Sequence, residues 1–150
     1  MGVVTAAILC FCCAGFLLSS PGAADGIAAR AARAVVVKDT AHLERKASTS
    51  DEVLEEGPAS GTFPGKVHAY LNLGATVIAH FTIETRSGAI TGVGSGKLKG
   101  RPAEPSFSGR MRVTHGTGRY THARGEGGFF GTLNRNTFRA VVQTSGTLFY

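Results

Sequence analysis

From about Gly61 the chain alternates apolar and polar residues with a period of two. Phe63, Val67, Ala69, Leu71 and Leu73 fall on one face, with Lys66, His68, Tyr70 and Asn72 on the other. After Gly74 the pattern resumes, with Val77, Ala79, Phe81 and Ile83 set against Thr76, His80, Thr82 and Glu84. Phe107, Met111 and Val113 oppose Ser108, Arg110 and Arg112. Gly125, Gly127, Phe129, Gly131 and Leu133 share a further face, and Phe138, Ala140, Val142, Leu148 and Tyr150 close the series. Period-two runs broken by turn residues at intervals of roughly ten predict antiparallel strands in a sandwich or barrel. Glycines in strand interiors supply bends, bulges and close backbone approach. Gly92, Gly94 and Gly96 share one strand face, and Gly125, Gly127 and Gly131 another, which favours a small closed barrel of six to eight strands. Ile78, Val93, Phe130, Val141 and Phe149 run out of phase with the main stripe, so periodicity leaves open which face lines the interior.

The region before the alternation divides in two. Val3 to Leu18 is a short apolar run followed by Ser19, Ser20, Pro21, Gly22, Ala23 and Ala24, which reads as a secretory signal over 1–24. The run is short for a permanent membrane span, which takes roughly 20 apolar residues. The expected location is secreted or cell envelope, with no permanent span in the mature chain. Residues 25–59 contain Ala-Arg pairs, the Val35-Val36-Val37 triplet and KASTSDEVLEEG, without a clear apolar face. They read as a flexible linker ahead of a barrel domain over 60–150.

Composition narrows the chemistry. Cys10, Cys12 and Cys13 all lie in the apolar leader, so a processed chain has no thiol nucleophile, disulfide or cysteine-based zinc site. Residues 25–59 hold five basic and seven acidic side chains, a net of −2; residues 60–150 hold eleven and three, a net of +8. A positive field of that kind attracts polyanions and also keeps a protein soluble. Arg110, Arg112, Arg119 and Arg124 lack interleaved aromatics other than Tyr120, so no specific nucleic-acid partner is expected. Glu84, Glu104 and Glu126 are widely spaced, each with a basic residue within a few positions, unlike a general acid–base pair.

His68 and His80 are equidistant from Gly74. A register centred there makes them a direct cross-strand pair with Cβ atoms roughly 5 Å apart, a weak candidate for Zn²⁺ or Cu²⁺ against the alternative of two surface histidines. Otherwise no metal and no cofactor is expected.

The stretch HGTGRYTHARG, residues 115–125, lacks the spacing of a phosphate-binding P-loop, and its flanks are β-patterned. It reads as the connection of a β-hairpin, with Tyr120 packed on a neighbouring strand. GTGRYTHARG resembles the GTG-x-[FY]-x-x-ARG pattern of dirigent proteins and the allene oxide cyclase-like superfamily, and is similar to a stretch in small secreted bacterial proteins. The resemblance covers about ten residues closely and Gly61 to Tyr150 broadly. It implies an eight-stranded antiparallel barrel, often a homodimer or homotrimer, with an apolar pocket and no metal or nucleotide. Gly116, Gly118, Tyr120, Ala123 and Gly125 match as structural positions, with Arg124 between them. The pocket aspartates and the cyclase-type cysteine of such proteins have no counterpart within 60–150, so the resemblance implies the fold rather than the chemistry.

Nothing in these motifs specifies a reaction. The leading expectation is a non-catalytic binder of a small apolar or amphipathic ligand, with Tyr70, Arg110, Arg112, Arg124 and Glu126 as candidate contacts. The alternatives are a cofactor-free cyclase or coupling-guiding enzyme, and a basic envelope protein that binds anionic polymers.

Overall fold

A computed structural model describes residues 33–73 and 76–150. Eight antiparallel strands close into one barrel in chain order: β1 Ala34–Ser48, β2 Glu52–Gly61, β3 Gly65–Leu73, β4 Val77–Thr85, β5 Gly88–Gly100, β6 Pro105–Gly116, β7 Arg124–Asn134 and β8 Arg139–Phe149. Closure comes from β1, which pairs with β2 on one edge and with β8 on the other, from Ala34↔Phe149 to Glu44↔Arg139. Among the described residues no strand edge is left unpaired for another chain to extend, which is the physical advantage of a closed sheet. The proposed leader over 1–24, its three cysteines and the first part of the linker lie outside the described residues.

The expected linker is corrected by this arrangement. From Ala34 onward it is β1 and β2, so the barrel takes in most of 25–59. Val37, Ala41 and Leu43 do alternate inward, and so do Val53 and Ala59. The pattern is masked because Asp39 and Glu55 occupy inward positions. Pro58 adds to the disguise, since proline has no N–H for a ladder. The β1–β2 pairing is interrupted there, between Ala41↔Ala59 and Glu44↔Glu56.

The main apolar stripe faces inward. Val67, Ala69 and Leu71 of β3, Phe81 and Ile83 of β4, and Val142 of β8 meet in the interior. Lys66, Arg110, Arg112 and Glu126 point the other way with the remaining polar positions of their strands. The out-of-phase Ile78, Phe130, Val141 and Phe149 are exposed on this outer face, together with Val36. Among the described residues no helix is long and apolar enough to cross a membrane.

The inward glycines work as sockets for aromatic rings. A side chain at Gly92 would collide with the Phe81 ring, one at Gly131 with Phe107, and one at Gly96 or Gly109 with Phe129. Large residues on one strand thus face missing side chains on the next, which fills a narrow interior without strain. The β5–β6 ladder also shifts register between Thr91 and Gly92, and a second shift falls between Arg45 and Ala47 of β1. Such bulges sharpen the local twist that a small barrel needs.

Candidate interior binding site

The two ends of the barrel are built from different connections. At one end lie Thr62–Pro64, the tight β4–β5 turn at Arg86 and Ser87, and the segment Thr117–Ala123, which contains the 3₁₀ turn Gly118–Tyr120. This last segment is longer than a simple hairpin turn and folds back over the barrel end. Thr117 donates its N–H to Ala89 O at 2.9 Å and accepts the Ala89 N–H on Oγ1 at 2.9 Å. Arg119 N–H donates to Ser87 O at 2.8 Å, and Ala123 N–H to Tyr120 O at 2.8 Å. Gly118 adopts φ +58°, a left-handed conformation that favours glycine. At Gly116 a Cβ would run into the Tyr120 carbonyl, and at Gly125 into that of Thr147.

These latches seat Tyr120 as a plug. Its ring meets Phe63 edge-on at 5.6 Å and Tyr150 at 5.0 Å between centroids, and Phe63 meets Tyr150 at 6.1 Å. Ala123, Ile90 and Leu148 complete the buried cluster. Tyr150 is held by reciprocal backbone hydrogen bonds with Arg33, at 2.8 and 3.1 Å. Three mutually edge-on rings give a dense seal, each pair adding about 1 kcal/mol beyond burial.

At the other end the β7–β8 turn brings Phe138 against Arg45, whose guanidinium carbon lies 3.5 Å from the ring centroid. Phe138 has φ +54°, a costly conformation for a bulky residue. The turn is held by Asn134 Oδ1, which accepts the N–H groups of Asn136 and Thr137 at 3.0 Å each. Arg45 N–H also donates to Phe138 O at 3.1 Å.

Between the ends runs a cavity of about 160 Å³. Its wall is almost entirely apolar, with Ala41, Ala69, Ala79, Phe81, Leu133 and Val142 among the residues that form it. Two buried carboxylates interrupt the wall. Asp39 is 6% exposed and Glu55 3%. They sit about six strand residues apart, roughly 20 Å along the strand direction.

Their surroundings differ. Asp39 Oδ1 accepts the N–H of Phe63 at 2.8 Å, whereas Oδ2 is buried with no partner. Burial raises the Asp39 carboxyl above its ordinary pKa, opposed by the Phe63 and Thr62 backbone donors. Glu55 lies directly across from Arg45 in the β1–β2 register. Burial lifts its pKa to about 7, and the Arg45 charge pulls in the opposite direction. Arg45 Nε is itself buried without a hydrogen-bond partner.

Of the five candidate contacts, Tyr70, Arg110, Arg112 and Arg124 lie on the outer face, away from this interior, and Glu126 is among the residues along its wall. Tyr70 is 45% exposed on the outer face. Arg110, Arg112 and Arg124 are exposed on β6 and β7. Glu126 borders the cavity wall between Gly125 and Gly127, yet it is exposed. It pairs in register with Arg112 without an ion pair. Asp39 and Glu55, the two buried carboxylates, lie before residue 60 and so outside the barrel domain that the alternation predicts. An acid recurring at an inward position of an alternating Val-Ala-Leu run was the signal that could have found them.

The histidine pair is also corrected. The β3–β4 register is centred one residue beyond Gly74, so His68 faces Thr82 and Tyr70 faces His80. His68 Nδ1 instead lies 2.9 Å from Glu56 Oε1, and its Nε2 lies 3.6 Å from Glu84 Oε2. Lys66 Nζ approaches Glu56 at 2.9 Å and, by hydrogen bonding, holds that carboxyl below its usual range. This is an ion-pair cluster on the outer surface. Among the described residues no group of three or more His, Cys, Asp or Glu is placed to hold a metal ion.

No family model, no curated protein and no solved structure matches this chain.

Proposed function

We propose that the barrel is a non-catalytic binder of a small apolar or amphipathic ligand, which it holds inside. One observation carries this reading: an apolar cavity runs between an aromatic plug and the Arg45–Phe138 mouth. Its volume is close to the ~150 Å³ of dry apolar cavities that take up a benzene ring. Barrel interiors of this size bind ligands largely by apolar contact, with a few polar groups setting orientation. The resemblance of GTGRYTHARG to dirigent and allene oxide cyclase-like barrels points the same way, since it implies a pocket of this kind.

The enzyme alternative would call for a tyrosine, an arginine and a carboxylate converging on one reacting group. Here Tyr120 belongs to the plug, while Arg45 and Glu55 stand at the opposite end. The arrangement therefore favours binding over catalysis.

The test is titration of the full chain with propylbenzene, followed by ¹H–¹³C NMR of interior methyl groups. Shifts confined to Val67, Leu71, Ile83 and Val142 are expected. Filling the cavity with Ala79→Phe should abolish them while the barrel stays folded by circular dichroism. Shifts on outer-face residues alone, or none at all, would overturn the reading.

A further inference from the structure

We infer that the ligand of this interior is an amine, an apolar body carrying two N–H donors, with its nitrogen set against Asp39 Oδ2. The inference rests on the binding reading above and names the chemistry of that site.

Asp39 is a charged side chain more than nine-tenths buried, facing the cavity, with one oxygen satisfied and one orphaned. Buried polar atoms in folded proteins are nearly always paired, and an unpaired one requires an explanation. The explanation cannot come from the protein's own cations. Among the described residues no basic side chain forms an ion pair with Asp39. Lys38, its chain neighbour, belongs to the opposite face of β1.

Three classes of ligand headgroup can be compared at Oδ2. A carboxylate would bring a second negative charge to a site without a countercharge. A purely apolar molecule would leave Oδ2 as it is, desolvated and unpaired. An ammonium supplies both a donor and the missing charge, and charge-assisted hydrogen bonds are about twice as strong as neutral ones. The number of donors also has a match. Thr144 is the register partner of Asp39 on β8 and likewise lines the cavity. Asp39 Oδ2 and the Thr144 hydroxyl offer two acceptors, which suits a secondary ammonium with its two N–H groups better than a tertiary one with a single N–H or a primary one with three. Burial alone pushes the Asp39 carboxyl upward; a cation at Oδ2 would reverse that push.

The position also orients the ligand. Asp39 lies next to Phe63 at the plugged end, so the nitrogen would enter first and the apolar body would extend toward Glu55 and the mouth.

Three probes of equal size class test this on the full chain at neutral pH: propylbenzene, N-methylbenzylamine and phenylacetate, by calorimetric or NMR titration. The amine is expected to bind about tenfold more tightly than propylbenzene, and phenylacetate more weakly than either. In Asp39→Asn the amine's advantage should fall to less than about threefold, while propylbenzene affinity stays within about twofold and so reports an intact cavity. Thr144→Val gives the same readout from the second acceptor, with a smaller loss. If propylbenzene binds and the amine binds no better, the amine assignment fails and the binding reading stands. If the amine's advantage survives in Asp39→Asn, the assignment to Asp39 fails. If no probe enters the interior, the binding reading itself fails and the inference with it.

Discussion

At one end of the barrel Asp39 accepts a backbone hydrogen bond beside three interlocked aromatic rings; at the other Glu55 faces a single arginine stacked on an exposed phenylalanine. Both acids are buried, but they are buried by different means. The plugged end is dense, latched by backbone hydrogen bonds and packed against Tyr150. The mouth rests on one cation–π contact and a turn with a left-handed phenylalanine. The plugged end therefore holds a buried aromatic cluster, whereas the other end is closed by a single partly exposed ring.

The largest expected effect comes from the plug. Tyr120→Ala removes the ring that contacts both Phe63 and Tyr150 and should cost about 3–5 kcal/mol in urea denaturation. Phe138→Ala at the mouth should change stability by less than about 1 kcal/mol, because the ring is 41% exposed and the backbone there is strained. Equal costs at the two positions would erase the distinction between the ends.

The next effect is one of pH. Glu55 has a pKa of about 7 in the folded barrel against 4.5 for the ordinary side chain. Between those values the folded state holds more protons than the unfolded one, so stability falls as pH rises from 4.5 to 7 and is level above. The loss amounts to roughly 3 kcal/mol, and Glu55→Gln should remove it. Denaturation midpoints of the two proteins at pH 4.5 and pH 7.5 measure the difference; parallel curves would show that Glu55 is not held in its buried, proton-retaining state.

A smaller change should follow from Gly131→Ala, whose added methyl meets the Phe107 ring and the Val141 carbonyl. About 1–3 kcal/mol of destabilisation is expected by calorimetry, without effect on the plug. The smallest effect is outside. Arg110→Ala with Arg112→Ala should leave stability within about 0.5 kcal/mol, since both are exposed and unpaired among the described residues. The same double variant should elute earlier from an anionic resin. Unchanged elution would argue against a role for this face in binding anionic polymers.

Much of the β architecture was legible beforehand. Strands β3, β4 and β6 to β8 follow from period-two alternation, because a strand in a closed barrel buries one face only, and β5 is marked by its same-face glycines. The socket glycines were visible as a same-face series, though not the phenylalanines they receive, since those pairings depend on cross-strand register. Strands β1 and β2 were illegible for the same reason that they carry the candidate site. Asp39, Glu55 and Pro58 each break the local rule for a strand, and locally inconsistent positions concentrate where function is placed. The outer arginines drew attention as charged groups, yet a charge on the solvated face of a strand is the ordinary case.

By itself the sequence determined that the chain makes antiparallel strands with one apolar face, that the strands beyond residue 60 carry an excess of positive charge, and that Gly116–Gly125 turns the chain with Tyr120 packed on a neighbouring strand. These are local properties, set by side-chain alternation and by which residues tolerate a given backbone. Only the tertiary structure decided where the barrel begins, that β1 closes it against β8, that His68 and His80 are offset, and that two carboxylates face one cavity. Each of these depends on the pairing of residues distant in the chain, and a strand's register and burial are settled by its neighbours rather than by its own composition.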